Sequence, residues 1–110
     1  MAIYRVYATD DGESHMEELD LAEHPELHSM MNISEVRVQW WTEPRVMDFH
    51  PLPDRRFIIH LSGETEITVS DGASHVFRAG DCRLMEDTSG KGHSHVDRGP
   101  NSAAYVFLQD

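Results

Sequence analysis

Between Asp48 and Asp97 the chain alternates short runs of β-branched and aromatic residues with turns marked by glycine and proline, and this spacing leaves no room for a helical core. Thr65, Ile67 and Val69 alternate with Glu64, Glu66 and Thr68, the period of a strand with one buried face. Ser70-Asp71-Gly72-Ala73 follows, and its Asp-Gly pair predicts a type I′ hairpin before a return strand over 74–78. Two prolines in His50-Pro51-Leu52-Pro53-Asp54 exclude a central strand there and place His50 on a loop.

The same patterning predicts strands over 3–8, 35–41, 45–49, 56–61, 82–85, 93–96 and 103–108. The acidic stretch after Ala8 reads as a surface excursion, with a helical turn or two around Ser14 to Leu21, where Ser14 and Glu17 have capping-box spacing. Eight or nine short strands without a long helix predict an all-β sandwich or barrel, and 110 residues suit a single domain spanning 1–110.

Charge narrows the partners. A net charge of -11 repels phosphate backbones and acidic lipid surfaces, so nucleic acid and membrane are excluded in favour of a small-molecule ligand. Cys82 is the one cysteine, which forbids an intrachain disulfide, and the N-terminal residues lack the apolar run of a secretion signal; a cytoplasmic protein is expected. Open strand edges and the aromatic pair Trp40-Trp41 predict a homodimer.

The segment from His50 to His93 resembles the small cupins, whose motifs run G-x5-H-x-H-x(3,4)-E-x6-G and G-x5-P-x-G-x2-H-x3-N. Arg56 is followed by six residues and then Gly63, the first motif's acid-to-glycine spacing, and Gly80 opens the second. His93 then takes the second motif's histidine position with two extra residues in the loop, and Asp97 that of the terminal Asn. The resemblance implies a jelly-roll barrel of the cupin type, a double-stranded β-helix, with one divalent transition metal in its cavity. It also implies His50 and His93 as metal ligands, and strand alternation holds His60 and His95 in reserve. The departures are that Arg56 stands where the family has a metal-binding Glu, Glu86 where it has Pro, and that one histidine of the usual pair is absent.

Strand alternation puts Arg56, Ile58 and His60 on one face, and His93 and His95 on another. Two to four imidazoles could therefore converge on a metal, for which they are suitable ligands. The permanently charged guanidinium of Arg56 argues for the other occupant, a small organic anion held by Arg56, with His60 and Trp40 as further ligand contacts. A metal-dependent enzyme and an anion-binding domain are the two leading readings; a metal-free site in which His50 or His93 acts as general acid or base on a carboxylate held by Arg56, and a purely structural scaffold, also stay open.

Overall fold

The computed structural model describes residues 1–109. Ten strands form two sheets: β1 (Ile3–Ala8), β2 (Ser14–Glu18), β3 (Ile33–Trp41), β4 (Arg45–His50), β5 (Arg56–Ser62), β6 (Thr65–Val69), β7 (Ser74–Phe77), β8 (Cys82–Glu86), β9 (His93–Asp97) and β10 (Asn101–Leu108). One sheet has the order β2-β1-β8-β5-β10-β3, the other β4-β9-β6-β7. Every pairing is antiparallel except that of β1 with β8.

The sheets face each other, and Val6, Ile58, Ile67, Val69, Phe77, Met85, Ala103 and Tyr105 fill the space between them. They do not close into the expected barrel. The chain crosses from β3 to β4 through Thr42-Glu43-Pro44, and β3 and β4 end up as the edges of different sheets. Gln39 and Trp41 of one edge, and Arg45 and Met47 of the other, line a cavity between the sheets.

Residues 19–30 run over the surface as expected, but their apolar side chains are anchored to the sheet. Leu19, Leu21, Leu27 and Met30 pack on Ile3, Phe57, Cys82 and Leu84, a second apolar cluster on the outer face of the six-stranded sheet. Two single-turn 3-10 helices, Leu21–Glu23 and Pro25–Leu27, carry this cover. Ser14 starts a strand rather than capping a helix: its hydroxyl donates to Gly92 O at 2.6 Å and accepts from Ser70 N at 2.8 Å. The consequence for β8 is decisive, because Cys82 and Leu84 face this outer cluster and Arg83 and Met85 therefore face inward.

The β6–β7 turn also departs from expectation. Gly72 N donates to Val69 O and Val69 N to Ala73 O, closing a three-residue loop. Gly72 has φ +99° and no other residue type has positive φ among the described residues, so Asp71 cannot occupy a type I′ turn.

Gly92 is the glycine on which the site depends. Its φ of +71° lies in the left-handed region, and a Cβ there would collide with the carbonyl of His50, so only glycine lets β4 end against the start of β9. Gly92→Ala is expected to cost about 1–3 kcal/mol or more, a fall of roughly 5–15 °C in Tm. Thermal unfolding of the variant checks this, and an unchanged Tm would show that the close approach is dispensable.

Candidate functional site

The cavity between the sheets has a volume of about 180 Å³ and opens at the β3–β4 edge. Its walls are Trp41, Leu52, Ile58 and Tyr105, and its cationic and imidazole groups are Arg45, Arg56, Arg83, His50, His93 and His95. Of the residues expected from sequence, His50, Arg56, His93 and His95 come together here. His60 lies behind them, in contact with Arg83 rather than on the cavity wall, and Trp40 points outward with 72% of its surface exposed while Trp41 lines the cavity.

A bulge aims His50. The β4–β9 register runs Arg45↔Asp97, Val46↔Val96 and Met47↔His95, then shifts so that His50, not Phe49, faces His93. The extra residue reverses the inward parity after Met47, which turns His50 inward and leaves Phe49 exposed. His50 is thus the last residue of a strand rather than part of the loop. Its Nδ1 donates to Asp48 O at 2.7 Å, which leaves Nε2 free, and its ring centroid lies 5.0 Å from that of His93.

β9 supplies two imidazoles with opposite orientations. His93 donates Nδ1–H to Asp87 Oδ2 at 2.6 Å. His95 donates Nε2–H to Asp97 Oδ1 at 2.7 Å, and Asp97 also accepts from Thr65 Oγ1 and Arg45 Nε, both at 2.7 Å. Burial works to raise the Asp97 pKa, but the bonds and charges of His95, Thr65 and Arg45 outweigh it and hold the carboxyl well below its ordinary range. Asp97 is thereby a structural tie between β9, β6 and β4.

Arg83 is the residue that sequence reasoning missed. It is 2% exposed, its Nε donates to His60 Nε2 at 3.0 Å, and no carboxylate stands within ion-pair distance among the described residues. Burial lowers its pKa, partly opposed by Tyr105, Asp97 and Asp87, yet a guanidinium stays charged in a protein. Its charge in turn acts on all three buried histidines: burial first and Arg83 second push His60 down to about 3, and burial with help from Arg83 also lowers His93 and His95 against the pull of their aspartates. The cavity thus holds cationic guanidiniums together with the neutral imidazoles of His93 and His95. Arg56 adds to it: one Nη donates to exposed Asp54, while the buried Nε has no acceptor among the described residues.

A second, larger cavity of about 500 Å³ lies on the outer face of the six-stranded sheet, walled by Leu19, Leu27, Met30 and Leu84. Its Arg5 and Arg55 both pair with Glu86, so the charge there is matched within the chain.

Comparison with known proteins supports the architecture. No family model matches the sequence, and no characterised protein does. A cupin superfamily protein of Desulfitobacterium hafniense is similar in structure, with a TM-score of 0.55 at 15% identity over 74% of this chain and 72% of that one. A conserved protein of unknown function from Streptococcus pyogenes gives 0.49 at 19% identity, over 68% and 63% of the two chains. A protein from Neisseria meningitidis gives 0.48 at 16% identity, over 84% and 100%. The first of these likenesses carries the assignment: the chain has a cupin-type all-β fold.

The divalent metal that this fold implies does not fit the residues present. His50 and His93 each offer a free Nε2 and His95 a free Nδ1, but the expected carboxylate is Arg56. No three potential ligands converge among the described residues, and two imidazoles facing guanidiniums make a poor cation site.

The buried imidazoles fix the sign of the pH response. An unfolded histidine binds a proton below about 6.5, whereas folded His60 resists until about 3, so in that window the unfolded state holds more protons. Stability is therefore complete above the unfolded value and declines as the pH falls; Asp97 adds loss in the same direction at lower pH. The urea midpoint is expected to drop between pH 7 and pH 5, and His60→Gln, which keeps an acceptor for Arg83 without titrating, is expected to flatten that slope by up to about one proton. An equal slope in the variant would contradict the assignment to His60.

Proposed function

We propose that the protein binds a small organic anion, a short carboxylate, in the cavity between its sheets, with Arg83 as the deep anchor and Arg56 as a second contact. The observation that carries this reading is the buried Arg83 guanidinium without a carboxylate partner. An uncompensated charge removed from water is costly, and sequences that retain one in a fold gain something for it. A carboxylate presented to the guanidinium fork supplies the missing charge and two parallel acceptors. Cavity size selects the ligand, since about 180 Å³ corresponds to roughly six waters, the space of a short acid rather than of a nucleotide. Trp41, Ile58 and Tyr105 would cover its apolar part. The lone Cys82, buried on the outer face, suits a reducing cytoplasm, where we place this activity.

This reading modifies the anion hypothesis drawn from sequence: Arg56 remains a contact, but its existing bond to Asp54 makes it the lesser anchor. Metal-dependent catalysis has less support, because the donor set favours an anion over a cation.

The anchor role separates stability from binding. Arg83→Met removes a buried charge and keeps most of the side-chain volume, so the unliganded variant is expected to have an equal or higher Tm. Its response to short carboxylates such as acetate, propionate and pyruvate should vanish, whereas the wild type gains about 2.7 kcal/mol at a hundred times Kd. Arg56→Ala should weaken the response without eliminating it. Thermal shift across that panel decides the matter, and a response that survives Arg83→Met would sink the proposal.

A further inference from the structure

We infer that the same cavity is a proton-transfer site, in which His93 acts as base on a short 2-oxo acid held by Arg83 and Asp87 holds the His93 ring in position. The inference rests on the anion-binding reading and adds chemistry to it.

Asp87 carries the argument. It is 0% exposed, its Oδ2 accepts from His93 at 2.6 Å, and its Oδ1 has no hydrogen-bond partner among the described residues. The structural carboxylate of the same region looks different: Asp97 accepts from His95, Thr65 and Arg45 and ties three strands together. A buried acceptor left unpaired is expensive, and such groups call for an explanation beyond stability. Among the described residues the Asp87 carboxylate bonds one imidazole alone. That bond fixes the tautomer, with the proton on Nδ1 and a lone pair on Nε2, and fixes the ring against rotation.

His93 Nε2 bonds nothing among the described residues, and the His93 ring lines the cavity beside Arg83 and Arg56. Burial keeps that imidazole neutral, the form in which it can accept a proton. With the carboxylate of a 2-oxo acid on Arg83, the C–H bond next to the carbonyl breaks and its proton moves to Nε2. The electron pair shifts onto the carbonyl oxygen, giving an enolate whose charge is matched by the neighbouring guanidiniums. Asp87 stabilises the imidazolium so formed, which returns its proton to carbon. Atoms and electrons balance without an oxidant or a metal, and the net result is exchange or relocation of a carbon-bound proton. An acid of about six non-hydrogen atoms matches the available space, which is the scale of pyruvate.

The test uses the full chain with pyruvate in deuterated water, following loss of the methyl proton signal by nuclear magnetic resonance while calorimetry measures binding. Wild type is expected to accelerate exchange over the protein-free rate, and His93→Gln to lose about 100-fold or more of that rate while still binding pyruvate. Asp87→Asn preserves the side-chain shape, and should lower the rate at saturation with KM little changed, the split expected of a positioning residue. It also decides the question if His93→Gln does not fold. Bound pyruvate without accelerated exchange, or exchange undiminished in both variants, overturns the proton-transfer inference and leaves anion binding standing. Failure of pyruvate to bind overturns both.

Discussion

A guanidinium enclosed between two sheets, with an imidazole as its one hydrogen-bond partner among the described residues, sets the terms for the rest of this structure. Arg83 reaches that position because β8 has apolar neighbours on both faces: Cys82 and Leu84 are covered by residues 19–30, while Arg83 and Met85 face β9 and its neighbours. Removing the outer cover would take away the reason for that orientation. The charge then reaches across the interior, keeping His60, His93 and His95 neutral together with burial, and leaving the cavity short of one anion.

Strand β9 resolves the resulting electrostatics in two ways. At Asp97 the carboxylate is fully engaged, tied to Thr65, Arg45 and His95, and its role is to join strands. At Asp87, directly after β8, the carboxylate serves His93 alone among the described residues. The two histidines of β9 thus have aspartates with different uses, and the number of other bonds each aspartate makes distinguishes them. The bulge in β4 and the left-handed Gly92 complete the arrangement by bringing His50 alongside His93.

Most strands were legible in the sequence because a one-sided strand must alternate, and Thr65 to Val69 or Ala103 to Leu108 do so visibly. The convergence of His50, Arg56, His93 and His95 was legible from motif spacing. Other features were hidden for physical reasons. A single-residue bulge leaves no mark on composition, so the inward turn of His50 could not be read from parity, and two adjacent tryptophans on β3 give no sign of which one faces the cavity. Arg83 did leave a signal: it interrupts Cys82, Leu84 and Met85 in a strand short enough to be buried on both faces. Ser14 misled because the capping-box pattern is local, whereas its partners Ser70 and Gly92 are distant in sequence.

The most direct measurement of the central claim is a crystal structure grown with millimolar propionate. The account predicts propionate density in the cavity with its carboxylate at charge-assisted hydrogen-bond distance, about 2.7–2.9 Å, from the Arg83 guanidinium nitrogens. Arg83 paired instead with Asp87 or Asp97, with no anion between the sheets, would contradict it.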